Sequence, residues 1–581
     1  MKAATSQRIR SILVANRGEI AIRVMRAASE LAVRTVAIYS QEDRFSLHRT
    51  KADEAYLVGR GRRPVDAYLD IEGLLRIARE AQVDAIHPGY GLLSENPELA
   101  RACAAAGVIF IGPEPETMET LGNKITARAL AESAGVAVMP ASGALPADFA
   151  ECARLARGIG YPLMIKASWG GGGRGTRAVD DEAQLAELLP LARREALAAF
   201  GNDEVYLEKL VRRARHVEVQ ILGDHHGNLV HLHERDCSMQ RRNQKVVERA
   251  PAVFLTEEQR AVLTAAALAI GRAVRYRNAG TVEFLQDADS GRCYFIEVNP
   301  RIQVEHTVTE EVTGIDLVKA QIRIAGGARI GTPESGVPAQ EEIRVSGHAL
   351  QCRITTEDPE NNFIPDYGKI TAYRSPAGFG IRLDAGTAYT GAIITRSYDS
   401  LLVKVTAWAP TPEETIARMH RALWEFRIRG VVTNLRFLDQ LITHPRFAPG
   451  EYTTRFVDET PDLYRWPPKR DRATRLLTAI GATIVNGNAE VKGRARPAHC
   501  AAPQPPAGPL PAPQPGTRQK LEELGPERFA RWMVGEERVL LTDTAMRDAH
   551  QSLLATRLRT ADLVTIAPWY ASLAPQLFSL E

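Results

Sequence analysis

At 581 residues, with 45% apolar and 25% charged side chains, the chain has ordinary globular composition and exceeds what one hydrophobic core organises, which predicts roughly three to five domains. Its 73 basic and 70 acidic residues leave a formal net charge of +3 and are well mixed, which argues against a general nucleic-acid or membrane surface and points to small molecules and proteins as partners. The six cysteines, at 103, 152, 237, 293, 352 and 500, form no Cys-x-x-Cys pair and no zinc-site spacing; with no signal peptide read before the first strand and no membrane-length apolar run, a reduced, cytoplasmic protein is expected.

Residues 11–15, a turn at 16–19, a helical pattern to 31 and an apolar run at 35–39 predict a βαβ unit. Gly18 alone falls short of the spaced glycines of a dinucleotide site, so no such cofactor is assigned. Strands at 85–87 and 108–111 each end in Gly/Pro turns, so residues 1–122 are read as a doubly wound, Rossmann-like α/β domain with working loops at its strand ends. From Asn123 the pattern turns α+β: strands are predicted at 163–166, 205–208, 217–222, 281–285 and 294–299, in a domain extending to 335 with a glycine-rich lid at about 140–210. Residues 341–456 carry short strands such as 370–373 and a helix at 412–426, a smaller capping domain. Proline-rich residues 496–516 cannot form a packed element, so 457–520 is read as an interdomain region and linker, with a separate piece at 533–581.

The chemistry is densest at residues 294–306, which begin as an apolar strand and then place Glu297, Asn299, Arg301, Gln303 and Glu305 at every second position. Polar groups with that period share one strand face, able to hold a hard cation, clamp an oxyanion and keep a base nearby; the solvated face of an edge strand would look the same. Gly170, Gly171, Gly172, Gly173 and Gly175 form a loop whose backbone N–H groups could close over polyphosphate, with Lys124 and Lys166 to neutralise it, although no Walker pattern follows and a merely flexible loop also fits. Glu283 adds a carboxylate on a neighbouring predicted strand, as magnesium between nucleotide phosphates requires. Residues 233–248 are densely polar, lie between strand-like runs, and are expected to line a cleft made anion-seeking by Lys245 and Arg301.

Lys-Ala-Ser-Trp-Gly-Gly-Gly-Gly-Arg-Gly at 166–175, Glu-Arg-Asp-Cys-Ser-Met-Gln-Arg-Arg at 234–242 and Glu-Val-Asn-Pro-Arg-Ile-Gln-Val-Glu-His at 297–306 together resemble biotin carboxylase, an ATP-grasp enzyme, over about residues 9–456. The resemblance implies that Lys124, Lys166 and the glycine loop hold ATP phosphates and that Glu208, Lys209, His216 and Gln240 receive adenine and ribose. It implies Glu283, Glu297 and Asn299 as ligands of Mg2+ (or Mn2+), and Lys245, Arg301, Gln303 and Val304 as the bicarbonate pocket. Glu305 would be the base, Arg353 the biotin-facing arginine, and Tyr90 would lie on the biotin side. Glu305 would then deprotonate bicarbonate for attack on the γ-phosphate, and Arg353 would hold charge developing on biotin. Thr176 and Asn243 depart from the family, which more often has Met and His there.

Residues 539–560 resemble the start of the carboxyltransferase (TIM-type) barrel of the pyruvate carboxylase family rather than an acyl-CoA carboxylase. That resemblance implies a divalent-metal ligand at Asp548 and pyruvate contacts at Arg547 and Gln551, with Ala545 replacing a usual Thr. A complete barrel needs on the order of 250 residues, and residues 539–581 contain neither the family's His-x-His pair nor its biotin-bearing Met-Lys-Met. The expectation is the N-terminal part of a pyruvate carboxylase. It would carboxylate biotin borne on a carrier domain outside this chain, with that carrier, the remaining barrel and further copies of the chain as partners, and with 539–581 poorly held. The competing readings are a biotin carboxylase subunit for acyl-CoA substrates and an ATP-binding regulatory or assembly fragment.

Overall fold

Ile12, Leu13 and Val14 are wholly buried because the strand Ser11–Val14 is the centre of an all-parallel sheet whose order is Glu54–Leu57, Arg34–Tyr39, Ser11–Val14, Ala85–His87 and Ile109–Phe110. In the computed structural model, residues 8–581 are described except 170–175, 467–471, 489, 491, 496–503, 506 and 553–557. The chain runs outward on one side of the central strand and then returns to the other. This puts the switch in strand order beside the loops after Val14 and His87, where ligands of open α/β sheets bind. Asn16 locks those loops together, its Nδ2 donating to the carbonyls of Pro88 at 2.6 Å and Tyr90 at 2.9 Å. Gly89, at φ +64°, lies so close to Asn16 that a Cβ would sit 2.9 Å from that amide nitrogen.

An antiparallel sheet of eight strands follows, ordered Cys293–Asn299, Asn278–Asp287, Ala214–Gly223, Leu229–Arg241, Gln244–Ala250, His348–Thr355, Leu401–Ala409 and Ile381–Ala385. It crosses the boundary expected between 335 and 341, since Gln244–Ala250 pairs with His348–Thr355 through Val247↔Cys352 and Glu248↔Gln351. Beyond that boundary the short strands expected there are joined by two longer ones, His348–Thr355 and Leu401–Ala409. Their apolar signal is broken by polar side chains that are nonetheless buried, Gln351, Lys404 and Thr406 among them. For the same reason residues 233–248 are not a segment between strands: they form most of a hairpin, turned at Arg242 and Asn243 with φ of 49° and 63°. Two consecutive left-handed residues suit a tight hairpin turn, and Asn tolerates that conformation without strain.

Between these sheets, Arg177–Val179, Leu163–Ala167 and Val205–Lys209 make a three-stranded antiparallel sheet packed through Leu163, Ile165, Val179 and Leu207 against the helices Phe149–Ile159 and Glu182–Phe200. The expected glycine lid at Gly170, Gly171, Gly172, Gly173 and Gly175 lies outside the described residues. The helix Pro412–Glu425 covers the far end of the long sheet through Met419, Ala422 and Leu423.

Residues 1–468 and 469–581 are separate compact units. In the second, the helix Arg472–Asn486 exposes Leu476, Leu477, Ile484 and Val485, and the helix Thr517–Gly535 bends at Gly525, φ +71°, before Pro526. Thr542–Asp543 and Ser579–Leu580 pair in parallel across the helix Thr560–Leu573, a single strand–helix–strand unit that leaves Val539, Val564 and Leu573 exposed. Among the described residues no helix is long and apolar enough to cross a membrane.

Candidate active site

Three strands of the long sheet set carboxylates opposite one another: Glu218 faces Glu283, and Glu283 faces Glu297, in register. Like charges directly opposed on a sheet repel, so this row is tenable only if cations enter it. Four do. Arg235, opposite Glu218 on the next strand, is fully buried and donates to it at 2.5 Å through Nε, while its other nitrogens meet Gln220, Thr309, Thr281 and Gln303 at 2.7–3.1 Å. Lys245 Nζ lies 2.5 Å from Glu218, 2.9 Å from Glu283 and 2.7 Å from Glu305. His216 Nε2 is 2.9 Å from Glu283, and Lys124 Nζ is 3.0 Å from Glu297.

The period-two face expected at 297–305 holds only to Asn299. Pro300 has no N–H to continue the ladder, the chain turns as Arg301 N–H donates to the Asn299 carbonyl at 2.8 Å, and Glu305 sits at the N-cap of the helix His306–Thr313. Arg301, Gln303 and Glu305 therefore reach the site from a turn, not from a pleat. Gln303 Nε2 and Asn299 Nδ2 both donate to Glu283 Oε1 at 2.8 Å, and Arg301 links Asn299 at 2.9 Å to Glu95 at 2.6 Å. The turn is held from behind by Lys404, wholly buried, whose Nζ donates to the Val304 carbonyl at 2.8 Å and pairs with Glu19 at 3.0 Å. Tyr90 donates to that same Glu19.

Glu19, Tyr90, Glu95, Lys124, Lys245, Glu283, Glu297, Asn299, Arg301, Gln303 and Glu305 line one cleft of about 1090 Å³ between the loops of the parallel sheet and one face of the antiparallel sheet. Lys166, Glu208, Lys209, His216, Gln240, Val304 and Arg353 line it as well. Lys166 pairs with Glu208, and Gln240 Nε2 lies 2.8 Å from His216 Nδ1. Lys209 is turned aside, its ammonium donating to the carbonyls of Gly160 and Tyr161 at 2.8 Å each. Thr176 and Asn243 both border the cleft. Asp548, Arg547 and Gln551 belong to the second unit, where all three are exposed; Asp548 accepts from Ser552 at 3.1 Å and Arg547 pairs with Glu581.

Burial opposes ionisation of Glu305, yet Lys245, Arg353 and Arg235 outweigh it and hold the carboxyl well below the usual carboxylate range. Glu283 is likewise held low by Lys245 and His216 against its burial. Lys245, although desolvated, is raised well above an ordinary lysine by Glu218, Glu283 and Glu305. Glu283 and Glu305 are thus held as carboxylates and Lys245 as an ammonium.

The chain matches the family described as biotin carboxylase N-terminal domain over residues 8–118, the carbamoyl-phosphate synthase L chain ATP-binding domain over 123–332, and the biotin carboxylase C-terminal domain over 351–459. It is 44% identical to the biotin carboxylase domain of Hydrogenobacter thermophilus 2-oxoglutarate carboxylase, solved with MgADP, ADP and bicarbonate; the match covers 80% of this chain and all of that one, with a TM-score of 0.76. The chain belongs to the biotin carboxylase family. The chain is also 52% identical to pyruvate carboxylase of Bacillus subtilis over 99% of its length and 50% of the relative's. It is 62% identical to a Rhizobium etli pyruvate carboxylase solved with the allosteric activator acetyl coenzyme A, with a TM-score of 0.78, covering 99% of this chain and 51% of that one. The chain spans about half the length of the curated relatives it matches.

Sequence reasoning missed Glu218, Arg235, Glu248, Glu95, Lys404 and Glu19. For Glu218 the signal was present: a carboxylate within the apolar run 217–222 must be buried and therefore paired.

Acid should destabilise this biotin carboxylase in two stages. Burial lowers His48, His87 and His306 from 6.5 to about 4, about 4 and about 3, so the unfolded chain takes up protons first and stability falls as pH drops below about 6.5. Asp43, buried but lowered to about 2 by Arg17, contributes stability above its ordinary 3.8 that is lost as pH falls toward 2. Denaturant midpoints measured across that range should decrease steadily; a flat profile from neutrality to pH 4 would contradict the buried neutral histidines.

Proposed function

We propose that the chain catalyses ATP- and bicarbonate-dependent carboxylation of biotin, the first half-reaction of a pyruvate carboxylase. One observation carries this reading: Lys245 joins the carboxylate row of Glu218 and Glu283 to Glu305, whose second oxygen accepts from the cleft-facing Arg353 at 3.0 Å. Anion activation, phosphate chemistry and a guanidinium for the acceptor thereby meet in one cleft.

Bicarbonate fits beside Lys245, Arg301, Gln303 and the Val304 backbone, where two cations offset its charge. Glu305, ionised and buried, accepts its proton, and the resulting oxyanion attacks the γ-phosphate to give carboxyphosphate and ADP. Lys124 and Lys166 oppose the phosphates, and Glu208, Lys209, His216 and Gln240 border the nucleotide side. Glu283, Glu297 and Asn299 offer hard oxygen donors, two of them opposed in register. This set fits Mg2+ or Mn2+, which when bound would neutralise and orient ATP phosphates. Carboxyphosphate breaks to carbon dioxide and phosphate; the phosphate takes the ureido proton of biotin, the nitrogen takes the carbon dioxide, and Arg353 holds the charge that develops, with Tyr90 on the same side.

The identity to pyruvate carboxylases across 99% of the chain supports the assignment of residues 533–581 to the start of a carboxyltransferase barrel, with Asp548 toward a divalent metal and Arg547 and Gln551 toward pyruvate. In this reading the partners are a biotin carrier domain, the rest of that barrel and further copies of the chain. The unpaired thiols of Cys103, Cys152, Cys237, Cys293 and Cys352 support a cytoplasmic setting.

The test is ATP cleavage by the purified chain. It should require bicarbonate and Mg2+ and rise on addition of free biotin; cleavage indifferent to both bicarbonate and biotin would leave an ATP-binding module and sink the carboxylation reading.

A further inference from the structure

Arg353 is held by two carboxylates, only one of which the chemistry above uses. Glu305 Oε2 takes Nη2 at 3.0 Å, while Glu248 Oε1 lies 2.5 Å from both Nε and Nη2. Glu248 is wholly buried on the strand Gln244–Ala250, two residues past Val246 and three past Lys245. Its second oxygen accepts from Gln351 Nε2 at 2.8 Å, and Gln351 in turn accepts from Thr307, which also meets Thr406 at 2.9 Å. Every polar atom of the carboxylate is therefore occupied, and Glu248 cannot swing toward substrate. Among the described residues Nη1 of Arg353 has no partner, so the free corner of the guanidinium is the one left for the cleft.

We infer that Glu248 is a positioning residue for the proposed reaction: it clamps the Nε edge of Arg353, so that Nη1 faces biotin, and it remains as countercharge when Glu305 is neutralised by the bicarbonate proton. The inference rests on the carboxylation reading. Without a second carboxylate, protonation of Glu305 would leave Arg353 an uncompensated charge in a buried site, and the guanidinium would be drawn elsewhere. With Glu248 fixed by Gln351, the arginine keeps both its charge balance and its orientation through the proton transfer.

Glu248→Gln keeps the shape and removes the charge, whereas Glu248→Asp keeps the charge and shortens the reach. In the intact chain, Glu248→Gln should cut the biotin-stimulated rate of ATP cleavage by about 10- to 100-fold, the range for loss of an outer-shell partner. Its KM for ATP should stay at the wild-type value, and Glu248→Asp should retain more stimulation than Glu248→Gln. A role in filling space alone would favour the isosteric Gln. Stimulation by biotin undiminished in Glu248→Gln, or greater in Gln than in Asp, overturns the inference; so does a loss that tracks a rise in KM for ATP and a fall in midpoint. A wild-type chain with no biotin stimulation overturns the carboxylation reading and this inference together, while a stimulated wild type with an unaffected Gln variant overturns only the inference.

Discussion

Glu305→Gln is expected to lower bicarbonate-dependent ATP cleavage by roughly 10²- to 10⁴-fold, the contribution of a positioned general base. The isosteric amide keeps the volume of the side chain, and its oxygen can accept from one of Lys245 and Arg353, which the carboxylate meets at 2.7 and 3.0 Å. It loses the ability to take a proton. The effect should fall on kcat, with the KM for ATP nearly unchanged, because Glu305 lies at the N-cap of His306–Thr313 while the nucleotide-side residues are on other strands. Measured turnover within about tenfold of wild type would assign the proton transfer elsewhere.

Arg235→Leu is expected to be the most damaging substitution for stability, costing about 3–5 kcal/mol. Arg235 and Glu218 are both fully shielded, and the guanidinium spends its donors on Glu218, Gln220, Thr309, Thr281 and Gln303. Leucine would fill space but leave a buried carboxylate with Lys245 as its remaining cation. Lys245 would then be drawn toward Glu218 and away from Glu305, so activity should fall even in the fraction that remains folded. Denaturant unfolding of the variant would measure the first effect. A midpoint equal to the wild type would mean that the row of carboxylates tolerates one cation fewer than its geometry implies.

Both expectations depend on contacts across strands, which marks where sequence reading reached its limit. The strands at 11–14, 34–39, 85–87, 278–287 and 293–299 were legible because their apolar residues are continuous or alternate cleanly. The strands Leu229–Arg241 and His348–Thr355 were not, since buried Arg235, Asp236 and Gln351 stand where apolar residues would have announced them. A polar side chain that is buried and paired looks, in one dimension, like a polar side chain in solvent.

The sequence by itself determined the family motifs, the order of the domains and the motif residues that border the cleft, because motif residues are close in the chain and their chemistry is evident from type and spacing. Only the tertiary structure decided how those residues divide the charge. The in-register row Glu218, Glu283 and Glu297, the turn after Pro300 that carries Glu305 onto a helix N-terminus, and the hold of Glu248 on Arg353 each join segments distant in sequence. Register and turn geometry set such pairings through backbone hydrogen bonds, and side-chain type alone does not encode which carboxylate a given cation will meet.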